Sequence, residues 1–216
     1  IPAIAQPKFT DSKLAYEFYR SKDYEKAIVI YKTLYDNSEN PTNYFAYYLN
    51  CLLELKEYEN AEKLIKKEKK RRPEELSLIV DLGYVYSLLG DEEKSNKQYE
   101  LAIKELNADR NQITRLANSF RGKREFRHAE NTILKGRELM NDQRLFRNDL
   151  ASVYLMERKY NLMVDEYMSL LAEDKSNLKN VQNRLQSSMY IDVNDEVYEI
   201  IKKSIMSHVQ KNPNVS

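Results

Sequence analysis

A six-residue pattern returns along this chain at a constant interval. It reads Lys22-Asp23-Tyr24-Glu25-Lys26-Ala27, then Lys56-Glu57-Tyr58-Glu59-Asn60-Ala61, then Gly90-Asp91-Glu92-Glu93-Lys94-Ser95. It recurs as Arg124-Glu125-Phe126-Arg127-His128-Ala129, and more faintly as Arg158-Lys159-Tyr160-Asn161-Leu162-Met163. Positions 27, 61, 95, 129 and 163 are each 34 residues apart. A fixed period of that size means stacked units, each burying its apolar face against its neighbours. It restricts the fold before any residue propensity is consulted.

Composition narrows what the units are. Four glycines and five prolines in 216 residues are too few for a turn-rich β protein and suit long helices. Charged residues at 32% beside 42% hydrophobic ones fit helices that each keep one wet face. A formal charge of +1 gives no global pull toward nucleic acid or anionic lipid. Cys51 stands alone, so no internal disulfide forms. His128, His208 and one cysteine make no recurring metal-ligand spacing. No apolar run approaches the roughly 20 residues that span a bilayer. Catalysis finds no foothold: no Gly-rich phosphate loop appears, and no His is placed beside a Ser or Cys nucleophile. The expectation is a protein that is not an enzyme and carries no cofactor or metal.

The first residues form a separate segment, 1–7. Ala3-Ile4-Ala5 has the A-x-A shape of a signal-peptidase site, with Gln6 as the mature start. A leader that merely contains two alanines is the other reading. Export to a periplasmic or similar compartment is slightly favoured over a cytoplasmic location.

Apolar residues at helical spacing predict antiparallel helix pairs joined by short turns, in helices near 11–21, 24–37, 43–54, 58–71, 76–89 and 92–106, about one pair per period. The pattern continues near 111–121, 126–140, 145–157 and 160–173, with weaker segments at about 177–190 and 195–210. Five units follow, at about 8–41, 42–75, 76–109, 110–143 and 144–175. A degenerate sixth hairpin occupies 176–216, where Leu185 sits one place late and Val197 replaces the small residue. Its polar end suits either a terminal cap or a junction with further repeats, since an uncapped array exposes an apolar face. An excess of tyrosine and phenylalanine between residues 16 and 48 reads as core and surface lining at helical spacing.

The signature residues make the chain similar to the tetratricopeptide repeat (TPR) family. In the first helix of each unit an apolar residue, a small one and an aromatic appear as Leu14-Ala15-Phe18, Leu82-Gly83-Tyr86, Leu116-Ala117-Phe120 and Leu150-Ala151-Tyr154. The second unit departs with Tyr48-Leu49-Leu52. The second helices carry Ala27-Tyr31-Leu34, Ala61-Ile65-Glu68, Ser95-Tyr99-Ala102, Ala129-Ile133-Gly136 and Met163-Tyr167-Leu170. The resemblance implies an all-α, right-handed α-α superhelix, a TPR solenoid of five clear helix–turn–helix repeats plus one degenerate one.

It further implies a protein-interaction scaffold that binds a peptide or protein segment in a concave groove lined by the first helices. The groove positions just after the small residue are Tyr16, Asn50, Tyr84, Asn118 and Ser152. Asn50 and Asn118 offer both donor and acceptor to a peptide backbone. Flanking positions include Tyr19, Arg20, Val80, Thr114, Arg121, Asn148 and Leu155. Tyrosine and arginine are enriched at binding hot spots. The family's clamp for a C-terminal carboxylate would place cations at Ser12, Ser77 and Asp81, and none is there.

Two basic stretches add detail. Lys66-Lys67-Glu68-Lys69-Lys70-Arg71-Arg72 ends a helix, where cations suit the macrodipole; a patch for an acidic partner or nucleic acid is the alternative. The stretch 110–144 holds nine Lys/Arg against four Asp/Glu, a balance of +5. Arg115 and Arg121 bring part of it toward the groove and favour acidic segments of a partner. Alternatives remain: an envelope-complex assembly component, self-association, or a non-catalytic part of a larger protein. An RNA-binding helical repeat is disfavoured by the near-neutral charge.

Overall fold

The computed structural model describes residues 9–189 and 195–211. The Ala3-Ile4-Ala5-Gln6 pattern lies outside the described residues. The described chain is all helical, 12 α-helices and no strands. In order these are α1 (Phe9–Arg20), α2 (Tyr24–Asn37), α3 (Thr42–Glu54), α4 (Tyr58–Arg71), α5 (Ser77–Leu88) and α6 (Glu92–Lys104). They continue as α7 (Arg110–Gly122), α8 (Phe126–Leu139), α9 (Arg147–Met156), α10 (Tyr160–Glu173), α11 (Leu178–Met189) and α12 (Asp195–Lys211), with a 3₁₀ turn at Lys175–Asn177. The chain forms two compact units, one running to Ala102 and the other beginning at Ile103.

The repeated hexapeptide makes the hairpin turns. Lys22, Lys56, Gly90, Arg124 and Arg158 all have positive φ, between 58 and 78°. These positions share the 34-residue spacing, and glycine fills one of the five. The next residue closes the first helix: the amides of Asp23, Glu57, Asp91, Glu125 and Lys159 donate to carbonyls five residues back, at 2.8–3.0 Å. That six-to-one bond defines a Schellman motif, which needs a left-handed residue before it. The same five residues also start the second helix, accepting from Ala27, Ala61, Ser95, Ala129 and Met163. One residue thus ends one helix and begins the next, leaving the chain little freedom in how it reverses. Asp23 and Asp91 add a side-chain cap, accepting from the amides of Lys26 and Lys94.

Small residues set how closely the hairpin helices approach. Ala15, Ala27, Ala61, Ala129 and Ala151 have no exposed surface. Gly83 of α5 faces the Tyr99 ring of α6, where a Cβ would come within 2.4 Å of a ring carbon. Only glycine fits there. In the second unit Gly136 of α8 meets Ile113 of α7 in the same way, at 2.6 Å. The helix α9 begins two residues later than its sequence pattern suggests, because Phe146 takes a left-handed conformation at φ 59°.

Glu68 occupies a position where the period elsewhere places Leu, Ala, Gly and Leu, and it is fully buried. Four groups satisfy it: Tyr35 Oη donates at 2.7 Å, Thr42 Oγ1 at 3.1 Å and Arg72 Nε at 2.9 Å, with Arg71 Nη1 at 3.5 Å. Burial alone would raise its carboxyl, yet the bonds from Tyr35, Thr42 and Arg72 hold it below the usual value. Much of the basic run is therefore paired within the chain, Arg71 and Arg72 at Glu68 and, on exposed surface, Lys66 with Glu62 and Lys67 with Asp36. In the second unit Arg137, also buried, grips Glu166 through two 2.8 Å bonds. Arg147 links that pair to Glu173 at 2.7 Å, joining α8, α9 and α10. Ile201 and Val197 of α12 are buried, and Ser204 donates to Asn161 of α10.

Gly90 has open space around it, so Gly90→Ala loses only backbone freedom and should cost about 1 kcal/mol. Lys56→Gly should be neutral or stabilising by up to about 1 kcal/mol, read by urea unfolding. Glu68→Ala, which empties a fully buried site and takes the acceptor from the buried Tyr35 hydroxyl, should cost about 3 kcal/mol. Because the folded Glu68 carboxyl is depressed, its contribution is complete above the unfolded value near 4.5 and fades as pH falls through the folded one. Wild type should therefore lose more stability between pH 5 and 3 than Glu68→Gln does.

Candidate functional site

The first helices of the repeat are α1, α3 and α5 in one unit and α7 and α9 in the other. In the first unit Tyr16 is 45% exposed, its ring edge-on to Tyr47 at 6.0 Å, with the Arg20 guanidinium over it at 6.0 Å. Tyr19 is half-buried and donates its hydroxyl to Asn50 Oδ1 at 3.0 Å, tying α1 to α3. Its ring also meets Tyr47 edge-on at 5.2 Å, and Tyr47 stacks on buried Tyr31 at 5.1 Å. Burial raises the Tyr19 hydroxyl above its ordinary value, so it stays a donor. Asn50 thus spends one acceptor lone pair within the chain. Tyr84 is half-buried, and its carbonyl accepts from Ser87 Oγ at 2.8 Å.

Val80, expected on this face, is fully buried instead. Its helix α5 is apolar on nearly every side, with Leu78, Ile79, Leu82 and Val85 also buried. A helix hydrophobic all round belongs to the core.

In the second unit Arg121 bridges α7 and α9. Its Nη1 donates to Asn118 Oδ1 at 3.0 Å and its Nη2 to Ser152 Oγ at 3.2 Å. Residues 19 and 121 stand at equivalent places of the period, and each reaches a partner 31 residues on. The same cross-helix bridge is built once from tyrosine and once from arginine. Asn118 and Arg115 are exposed on α7. A pocket of about 370 Å³ opens at the start of α7 and α9, lined among others by Arg110, Thr114, Phe146 and Asn148. The Arg110 guanidinium lies 6.0 Å over the Phe146 ring. Asn148 Oδ1 is shut in without a donor. An unsatisfied buried carbonyl costs about 1–3 kcal/mol.

The cations of 110–144 divide by location. Arg137 is neutralised by Glu166, Arg144 by Asp142 and Lys135 by Glu138. Arg115 and Arg121 on α7 pair with no carboxylate among the described residues, and Arg110 makes no ion pair there but lies near enough to Asp142 to favour its charged form. Composition gives the excess charge; the fold shows that it stays on α7 and on the exposed Arg124 and Arg127 that follow it.

The remaining chemistry-bearing residues have structural surroundings. His128 stacks on Phe120 at 5.4 Å, with Nδ1 3.2 Å from Glu125. Among the described residues no three His, Cys, Asp or Glu side chains gather as a metal site, and no helix is long and apolar enough to cross a membrane. Sequence reasoning missed Tyr47, the centre of the aromatic cluster, and the Glu68 and Arg137–Glu166 nodes. A charged residue where the period otherwise carries Leu, Ala or Gly was the available signal for Glu68.

No family model matches the chain, and no curated protein matches it. Among solved structures it is similar to the C-terminal part of a TPR repeat-containing protein from Cytophaga hutchinsonii. That match has 15% identity over 94% of this chain and 95% of the other, with a TM-score of 0.33. So loose a likeness carries no weight. The chain is a helical repeat protein on its own geometry.

Cys51 is buried in the first unit, and burial pushes its thiol up to about 11. Native protein should not react with a thiol-specific disulfide reagent at pH 8, whereas one thiol per chain should react after unfolding in guanidinium.

Proposed function

We propose that the chain is a TPR-type interaction scaffold that binds a peptide or protein segment on its first-helix faces and performs no catalytic step. The observation that carries this reading is the pair of equivalent cross-helix bridges, Tyr19 to Asn50 and Arg121 to Ser152. They fix polar side chains between neighbouring first helices before any partner arrives. A preformed surface loses little conformational freedom on binding, so more of the contact energy becomes affinity. Tyr16 with Arg20 above it supplies an exposed aromatic–cation pair on the same helix as Tyr19. The 34-residue signature and its Schellman turns support the family assignment. Asn50, Tyr84, Asn118 and Asn148 complete the residues assigned to partner contact, with acidic segments preferred near Arg115 and Arg121.

The test is capture of partners from a lysate of the source cell by tagged protein. Tyr16→Ala with Arg20→Ala alters exposed groups only and should leave the helical signal and Tm unchanged while lowering recovery at least tenfold. Val29→Ala, on exposed surface of a second helix, should leave recovery unchanged. Equal recovery from the double variant and wild type would overturn the assignment of the face.

A further inference from the structure

The second unit points to the chemistry of one ligand, and this inference rests on the interaction-scaffold reading above. Arg121 is half-buried and held at two nitrogens by neutral acceptors, Asn118 and Ser152. Its orientation is fixed while its charge is left without a carboxylate. Elsewhere in the unit the fold does neutralise its enclosed arginines, as buried Arg137 and half-buried Arg147 on Glu166 show. The open charge of Arg121 is thus confined to the face between α7 and α9.

One helical turn from Ser152 along α9, a rise of about 6 Å, stands Asn148. Its carbonyl has no donor, and its χ2 is a soft torsion that can turn the oxygen toward the pocket. Thr114 and Arg110 of α7 line that pocket with it. Phe146, which packs beneath Arg110, is held left-handed at φ 59°, outside the 34-residue series of such turns. Strained backbone that the repeat does not require tends to mark functional positions. Two residues of extended chain also span about 6–7 Å.

We propose that the α7–α9 face of the second unit binds an extended acidic peptide segment. A carboxylate of the segment pairs with Arg121, and the backbone N–H about two residues away donates to Asn148 Oδ1. A second carboxylate at the pocket end meets Arg110, where Arg144 and Arg147 outweigh Asp149 in the lining. Peptide is favoured over nucleic acid because Asn148 calls for a donor and no exposed aromatic platform lies among the residues facing the pocket and Arg121.

The probe is a fluorescein-labelled, N-acetylated (Ser-Glu)4 peptide, with (Ser-Gln)4 as neutral control, titrated against the full chain by anisotropy at 50 mM salt. The glutamate peptide should bind at least tenfold tighter than the glutamine one. Arg121→Gln should weaken it about tenfold and Arg110→Gln by less. Arg127→Gln, which removes an exposed α8 cation, should leave affinity within twofold, and so should Tyr16→Ala in the first unit. Equal binding of both peptides, no binding at all, equal loss with Arg127→Gln, or tighter binding of an oligouridine dodecamer would each overturn the proposal. If the peptide fails while Tyr16→Ala/Arg20→Ala still lowers partner capture, the scaffold reading stands and only this inference falls. If capture is also unchanged, both fall.

Discussion

The left-handed residue at each hairpin turn is the constraint on which the structure depends. At positions 22, 56, 90, 124 and 158 the backbone enters a region that costs an L-residue about 1–2 kcal/mol, and four of the five are Lys or Arg. That cost is accepted because the conformation lets the following residue end one helix and start the next. With the reversal fixed at one residue, the two helices meet along the same faces every 34 residues. Small side chains can then recur at each contact. A looser turn would let the helices slide and would end the repeat.

Given that frame, the departures from the period carry the individuality of the chain. Glu68 sits where the other repeats carry an uncharged residue, and Tyr35, Thr42, Arg71 and Arg72 surround it. Arg137 stands at the place Tyr35 holds three periods earlier, and there Glu166 answers it. Each unit therefore has its own buried polar node. Such nodes contribute little net stability, since desolvation offsets attraction, but losing one partner is costly.

The same logic separates charge that serves the fold from charge that serves binding. A basic helix end looks in sequence like an interaction patch, yet Lys66, Lys67, Arg71 and Arg72 are spent on neighbours. Arg121 looks like one cation among many, yet it is oriented by neutral partners and left unneutralised. Ion-pair bookkeeping within the fold tells the two apart.

Local information was enough for the helices, their order and the turns, because periodicity and the turn motif both act within 34 residues. It also marked Tyr19, Asn50, Asn118, Arg121 and Asn148 as positions on the first helices. It misjudged Val80, since one polar neighbour, Asp81, does not make an amphipathic helix out of α5. It was silent on what spans repeats. The bridges from Tyr19 to Asn50 and Arg121 to Ser152, the stacking of Tyr31 on Tyr47, and the burial of Glu68 depend on side chains about 16 to 33 residues apart being brought within a few ångströms. The sequence by itself determined the repeat and its turns. Only tertiary packing decided which polar residues would be consumed inside and which would remain available outside, because that choice depends on distances between helices that no local pattern encodes.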